Sequence, residues 1–94
     1  MPIINLLTRR HLVVRGRVQG VGFRWFARET AASLNLTGWV RNREDGSVET
    51  EAQGMQEAID EFIKRLKTGN PAAQVDLIET KPAAVRNETT FRII

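Results

Sequence analysis

The stretch LVVRGRVQGVGFRWF, from Leu12 to Phe26, contains the change of pattern on which the fold assignment depends. Its apolar start predicts a strand at His11 to Arg15. Three glycines in the next seven residues, Gly16 to Gly22, predict a loop. From Phe23 onward, apolar residues recur at three- and four-residue spacing, which predicts a helix. The stretch therefore indicates a strand, a glycine-rich loop and a helix N-terminus.

The elements that follow can be predicted from spacing and turn residues. The apolar face of the first helix consists of Phe23, Phe26, Ala27, Thr30, Ala31 and Leu34. Asn35 is suited to a left-handed residue at the end of that helix. Two strands are predicted at Thr37 to Asn42 and at Ser47 to Ala52, and Glu44, Asp45 and Gly46 between them are typical of a hairpin turn.

A second helix has the most regular apolar face in the chain. That face consists of Met55, Ala58, Ile59, Phe62, Ile63 and Leu66. Acidic Glu57 and Asp60 lie early, basic residues lie late, and Gly69 is predicted to end the helix. Val75 to Thr80 and Thr90 to Ile94 are predicted to be two further strands.

The element order is thus βαββαβ plus a C-terminal strand, the order of a ferredoxin-like sandwich in the α+β class. We expect a two-layer structure in which two helices cover one face of a five-stranded antiparallel sheet. The length of 94 residues predicts one domain, residues 1–94, with residues 1–8 as an N-terminal extension.

Composition excludes several classes of function. The chain has no cysteine and one histidine, so disulfide, thiolate and zinc chemistry are not expected. The apolar run near the N-terminus is too short for a signal peptide or a membrane span, and we expect a cytoplasmic protein without membrane contact. A net charge of +3, with arginines bunched in the first third, weakly favours anionic ligands.

The loop from Gly16 to Arg24 is the candidate anion site. Helix N-termini present unpaired N–H groups and partial positive charge, and glycines let those N–H groups turn inward. Arg24 in the first helical turn can add a bidentate guanidinium. A plain glycine-rich connection with Arg24 in solvent fits the same stretch equally well. The P-loop and dinucleotide patterns are both absent.

Asn42 is less informative when taken by itself. It ends the segment Thr37-Gly38-Trp39-Val40-Arg41-Asn42, and an asparagine at a strand end before the Asp45-Gly46 turn is more typical of a turn residue than of a site residue. Its distance from the loop cannot be derived from the sequence.

Taken together, three blocks closely resemble the acylphosphatase family. They are GRVQGVGFR at Gly16 to Arg24, GWVRN at Gly38 to Asn42, and DGSVE at Asp45 to Glu49. The resemblance covers roughly Leu12 to Ile94. This sequence has Asn35 where the family commonly has glycine and Trp25 where tyrosine is frequent.

The resemblance implies a hydrolase that splits acyl phosphates into carboxylate and inorganic phosphate. It makes Arg24 the phosphate-binding arginine and Asn42 the residue that orients the attacking water. The backbone of the loop would bind the phosphate, through Gly16, Arg17, Val18, Gln19, Gly20, Val21 and Gly22. The expected site contains no metal and no cofactor, the partners are an acyl phosphate and inorganic phosphate, and the protein is expected to be a monomer.

Other titratable residues are expected to lie outside the site. His11 precedes the loop by several residues and is expected at a strand start or on the surface. Glu49 and Glu51 are expected to face solvent from the third strand, which makes a Mg²⁺ site there a minor alternative.

Two other functions remain as alternatives. RNA-recognition modules share the βαββαβ order, but they stack bases on aromatic residues of the first and third strands, which this sequence lacks there. We therefore expect no nucleic acid partner. An acylphosphatase-like regulatory or maturation domain without hydrolase activity is the second alternative, and the short chain argues against it.

Overall fold

The predicted order of elements is confirmed by the structure, a computed structural model that describes residues 6–94. The first five residues of the expected N-terminal extension lie outside the described part, and Thr8 already belongs to the first strand. The elements are β1 Thr8–Arg17, α1 Phe23–Ser33, β2 Thr37–Asn42, β3 Val48–Gly54, α2 Gln56–Thr68, β4 Gln74–Pro82 and β5 Phe91–Ile93. In the described part, neither helix has the length and apolarity that crossing a membrane would need.

The five strands form one sheet in the order β4-β1-β3-β2-β5. The pairs β1·β3, β1·β4 and β2·β3 are antiparallel, as expected, but β2 and β5 are parallel. The expectation of a wholly antiparallel sheet was therefore wrong. After β4 the chain crosses to the opposite edge of the sheet and starts β5 at the end where β2 starts, so both strands run in the same direction.

The first strand is longer at both ends than the apolar residues predicted. Thr8, Arg9 and Arg10 pair with Gly54, Gln53 and Ala52 of β3. At the other end Gly16 and Arg17 pair with Val75 and Gln74 of β4, beyond a bulge at Arg15/Gly16. The strand continues past its apolar residues because neighbouring strands supply hydrogen-bond partners for the whole backbone.

Both helices pack on one face of the sheet and enclose the core. Alternate residues of the strands point toward them, as the pleat requires. The buried cluster includes Leu12, Val14, Val40, Val48 and Ala52 from the sheet and Phe23, Ala27, Ala31, Ile59, Phe62 and Leu66 from the helices. Complete burial of a Val, Leu, Ile or Phe side chain stabilises the fold by about 1.5–3 kcal/mol.

One expectation for α2 needs correction, and another is confirmed. Met55 was assigned to the apolar face, but it precedes the first turn and is 53% exposed. Gly69 directly follows Thr68, the last helical residue, so the prediction that it ends the helix is confirmed, although with φ −80 it is not left-handed. A Cβ there would lie 2.6 Å from the ring of Phe26 and from the carbonyl oxygen of Arg65. Glycine suits this position both because of the last turn of α2 and because Phe26 of α1 approaches closely, and the second constraint is tertiary.

The chain between β4 and β5 is fixed to the opposite face of the sheet by Arg9. The guanidinium of Arg9 is buried and forms ion pairs with Glu51, at 2.5 Å, and with Glu88 of the crossing segment. Gln53 beside it donates to the carbonyl oxygen of Arg86, at 2.7 Å, and accepts from the amide N–H of the same residue, at 2.8 Å. These contacts hold the segment that leads into β5.

We predict that Glu88→Ala lowers the free energy of unfolding by about 1.5–3 kcal/mol, because a buried guanidinium loses a charged hydrogen-bond partner. Glu79→Ala is the matched control, since Glu79 pairs with Arg15 at an exposed position. An exposed pair contributes about 1 kcal/mol or less. Urea unfolding of both variants measures the difference, and equal losses would contradict this role of Arg9.

Candidate active site

The loop between β1 and α1 has the left-handed glycines that an inward-turned backbone requires. Gly20 and Gly22 have φ of 75 and 73, and Gly22 is the N-cap of α1. Its carbonyl oxygen accepts the first helical bond, from the N–H of Phe26 at 3.0 Å. No atom lies within 4 Å of the place where a Cβ would stand on either glycine. The N-terminus of α1 therefore faces open space and presents N–H groups to it.

The loop is attached to the rest of the molecule at three points. Val18 is buried in the core. The side-chain amide of Gln19 donates to the carbonyl oxygens of Arg43, at 2.7 Å, and of Ser47, at 2.9 Å. Asn70 donates to the carbonyl oxygen of Val21, at 3.3 Å. The bonds from Gln19 join the loop directly to the hairpin that follows β2.

The sheet order brings Asn42 to this loop. Because β3 lies between β1 and β2 and is antiparallel to both, β1 and β2 run in the same direction. Their carboxyl ends therefore lie at the same end of the sheet. Asn42 also shares a face with Val40, which points into the core below the helices. The end of β2 and the start of α1 meet there.

A cavity of about 230 Å³ lies at this meeting point. Its lining residues are Val18, Gly20, Gly22, Phe23, Arg24, Trp25, Asn42 and Ile93. Five of the residues named from the sequence are thus brought together, among them Arg24 and Asn42. Gly16 and Arg17 are the last residues of β1, and Gly16, Arg17, Gln19 and Val21 are not part of the lining.

The electrostatics of the cavity suit an anion. Arg24 is exposed, and no ion pair within residues 6–94 includes it, whereas Arg28 one turn later pairs with Glu29. The lining contains no carboxylate and no imidazole from the described residues. A guanidinium and a helix N-terminus that face open space together attract a small oxyanion.

Sequence reasoning missed three side chains of the lining. Phe23 had been assigned only to the core, and Trp25 had been noted only as a departure from the family pattern. The position of Trp25 directly after Arg24 in the first turn of a helix could have indicated it. Ile93 had no signal in the sequence, because its place depends on β5 lying parallel to β2.

His11, Glu49 and Glu51 lie on the other face of the sheet. His11 contacts Glu49 at 2.6 Å, and Arg41 donates to the same carboxylate at 2.6 Å. Burial tends to raise the pKa of Glu49, but hydrogen bonds from His11 and Arg41 outweigh that tendency and lower it. Both glutamates have side chains only 13% exposed and are engaged by cationic partners, so the expectation that they face solvent freely was wrong.

The hairpin after Asn42 is held by Asp45. Its carboxylate accepts bonds from the hydroxyl of Ser47, at 2.5 Å, and from the amide N–H of Ser47, at 3.0 Å. These two bonds are the largest causes that lower the pKa of Asp45 from 3.8 to about 2, and the guanidinium groups of Arg15 and Arg43 contribute to the same shift. Because the carbonyl oxygen of Ser47 is also an acceptor for Gln19, the turn links the position of β2 to that of the loop.

A family model, curated relatives and solved structures of high similarity indicate the same family. A family model described as acylphosphatase matches residues 10–93. An acylphosphatase of Moorella thermoacetica is 47% identical over 87 residues, which are 93% of this chain and 94% of that protein. The crystal structure of acylphosphatase from Bacillus subtilis has a TM-score of 0.89 at 38% identity and covers 95% of this chain and 99% of its own.

A larger protein contains a similar domain. The crystal structure of full-length HypF in the phosphate- and nucleotide-bound form has a TM-score of 0.87 at 28% identity. The match covers 100% of this chain but 12% of the HypF chain.

We predict that Ser47→Ala raises the pKa of Asp45 above about 2, because the carboxylate loses one of its two hydrogen bonds from Ser47. A lowered pKa means that Asp45 stabilises the hairpin above pH 3.8 and that this contribution disappears as the pH falls through about 2. NMR titration of the Asp45 carboxyl carbon measures the shift. Asp60→Asn, on the exposed side of α2, is the control, and an unchanged Asp45 titration in Ser47→Ala would refute the assignment.

Proposed function

The chain belongs to the acylphosphatase family, and from this premise we propose that Arg24, Asn42 and the loop before α1 form its catalytic site. As an acylphosphatase, the protein is a hydrolase that converts acyl phosphates to carboxylate and inorganic phosphate. The single observation that supports the site most strongly is that Arg24 and Asn42, 18 positions apart in sequence, line the same cavity.

In the proposed mechanism, Arg24 and the loop bind the phosphoryl group. The guanidinium provides a bidentate donor, and N–H groups at the start of α1 donate to the remaining oxygens. The backbone from Gly16 to Gly22 supplies this cradle, with Val18, Gly20 and Gly22 nearest to the cavity. Neutralising the phosphoryl oxygens favours a transition state in which charge is spread over them.

Asn42 positions the water. Its amide holds a water molecule in line with the bond between phosphorus and the acyl oxygen. The water oxygen bonds to phosphorus, the bond to the acyl oxygen breaks, and the carboxylate leaves with the electron pair. An amide is not a base at neutral pH, and the lining has no carboxylate or imidazole in the described part of the chain. The proton of the water therefore passes to an oxygen of the substrate's own phosphate.

We further propose that the reaction needs no metal ion or cofactor. Within residues 6–94 no three side chains of the ligand types His, Cys, Asp and Glu cluster as a metal site requires. The two glutamates considered for Mg²⁺ are occupied instead, Glu49 by His11 and Arg41, and Glu51 by Arg9.

Four finer expectations complete the proposal. We propose that the protein acts as a monomer. We propose no nucleic acid partner, because Trp39, the tryptophan on the open face of the sheet, is buried under His11 and Arg41 and offers no stacking surface. A cytoplasmic location and the absence of membrane contact remain proposals from the sequence.

A second candidate function is supported by the likeness to HypF, in which the similar domain is a small part of a larger chain. Such a domain could bind phosphate with the same loop and serve regulation or maturation. The two functions differ in turnover, since only the hydrolase releases inorganic phosphate from benzoyl phosphate when the chain is assayed alone.

We predict that Arg24→Ala and Asn42→Ala each lower kcat/KM for benzoyl phosphate by about 10²- to 10³-fold, the usual effect of removing one preorganised transition-state contact. Arg24→Ala should also weaken inhibition by inorganic phosphate, whereas Asn42→Ala should act mainly on kcat.

Arg28→Ala and Asn87→Ala are the matched controls, since both residues are outside the cavity lining and neither is fully buried. Circular dichroism checks that all variants are folded. If folded Arg24→Ala and Asn42→Ala proteins kept wild-type activity, the assigned roles would be wrong.

We predict that the wild-type protein retains full activity after dialysis against EDTA, because no step assigned above uses a metal ion. The measurement is benzoyl phosphate hydrolysis before and after chelation, with Mg²⁺ added back. A loss of activity after chelation that added Mg²⁺ restores would refute the metal-free mechanism.

A further inference from the structure

The cavity has an apolar side as well as the polar groups that would bind a phosphate. Arg24 and Asn42 are the polar side chains of its lining, and the other four side chains are all apolar: Val18, Phe23, Trp25 and Ile93. A phosphoryl group gains nothing from an apolar wall, because contact with such a wall removes water from the charged oxygens. The apolar side of the cavity is therefore better suited to contact the rest of the substrate than its phosphoryl group.

Trp25 differs from the other apolar residues of the lining in its exposure. Val18 and Phe23 are 1% and 2% exposed and belong to the core, whereas Trp25 is 59% exposed. Seven large hydrophobic side chains are exposed within residues 6–94, and Trp25 is the one among them that lines the cavity. An indole is thus available at the mouth of the site with its surface still in contact with water.

Ile93 extends the apolar wall from a different element. It pairs with Val40 of β2, and Asn42 lies two residues further along β2 on the same face. The N–H of the next residue, Ile94, donates to the carbonyl oxygen of Val40 at 3.0 Å, which fixes the end of β5 against β2. The apolar wall therefore has one side from the first turn of α1 and one from the end of β5, with Arg24 and Asn42 in the same lining.

We propose that Trp25 and Ile93 form a subsite for the acyl group of the substrate and give the enzyme a preference for flat apolar acyl groups, such as an aromatic carboxyl, over acetyl. This inference rests on the proposed function, since it assigns the part of the substrate that Arg24 and the loop do not bind. Trp25 is a specificity residue in this proposal and takes no part in bond making or breaking.

The physical basis is contact between the indole and the acyl group. An aromatic acyl group can stack on Trp25 or meet its edge, and such aromatic pairs stabilise a complex beyond the burial of area. A methyl group covers much less of the indole and leaves Ile93 in water. Because the acyl group leaves as a free carboxylate, an open and shallow wall also permits its release.

The test compares two substrates in the wild-type protein, Trp25→Ala and Trp25→Phe. We expect the ratio of kcat/KM for benzoyl phosphate to kcat/KM for acetyl phosphate to fall by about three- to tenfold in Trp25→Ala. Trp25→Phe should restore most of the wild-type ratio, because it keeps an aromatic ring. Leu77→Ala is the control, since Leu77 is similarly exposed but lies on β4 away from the cavity, and its ratio should equal that of the wild type.

Two kinetic results would overturn the subsite. One is an unchanged ratio in Trp25→Ala. The other is an equal loss on both substrates together with weaker inhibition by inorganic phosphate, which would mean that Trp25 supports phosphate binding and does not select the acyl group.

A binding measurement separates this proposal from the proposed function. Calorimetry should show that the wild-type protein binds phenylphosphonate more tightly than methylphosphonate, and that Trp25→Ala reduces this preference by about three- to tenfold. A protein with the binding preference but without hydrolysis of either acyl phosphate would refute the hydrolytic mechanism and leave the subsite standing. Hydrolysis without any preference in wild-type binding or kinetics would refute the subsite alone.

Discussion

The pairing of β3 with β1 on one edge and with β2 on the other is the constraint on which the rest of the structure depends. Antiparallel pairing on both edges makes β1 and β2 run in the same direction, so the loop after β1 and the end of β2 share one end of the sheet. A hairpin of β2 and β3 alone would place Asn42 at its own turn and nowhere near Arg24. The cavity exists because the non-local pair β1·β3 has formed.

The carboxyl end of β5 lies toward the same end of the sheet, and a buried ion pair helps to fix the path of the chain that leads there. Arg9 and Gln53 hold the segment between β4 and β5 against the sheet, through Glu88 and the backbone of Arg86. That segment leads into β5, which lies parallel to β2 and places Ile93 beside the site. A fully buried guanidinium is costly to desolvate unless it is paired, and its pairing with two carboxylates fixes one path for the chain. An ion pair far from the cavity thereby contributes to the shape of its wall.

The sheet separates two kinds of chemistry. On the helix side, the candidate site has one guanidinium without an ion-pair partner among residues 6–94, one amide and an apolar wall. On the other side, Arg9 pairs with Glu51, and His11 and Arg41 pair with Glu49 beside Trp39. Charges that are satisfied by neighbours stabilise the sheet, and a cation that faces open space remains available to a ligand. This difference in pairing distinguishes Arg24 from most of the other arginines in the chain.

The sequence by itself determined the local elements and indicated the part of the candidate site that lies in one segment. Apolar spacing placed both helices, β2 was predicted at its observed bounds of Thr37–Asn42, and Asn35 does adopt a left-handed conformation, with φ 57. The glycine loop and Arg24 could be assigned to a helix N-terminus because that geometry lies within one short segment.

Only the tertiary structure decided the parallel pairing of β5, the burial of Arg9, and the meeting of Asn42 and Ile93 with Arg24. The physical reason is the same in each case: spacing along a chain reports which face a residue occupies on its own element, whereas contacts between distant strands and helices depend on the order in which the elements pack.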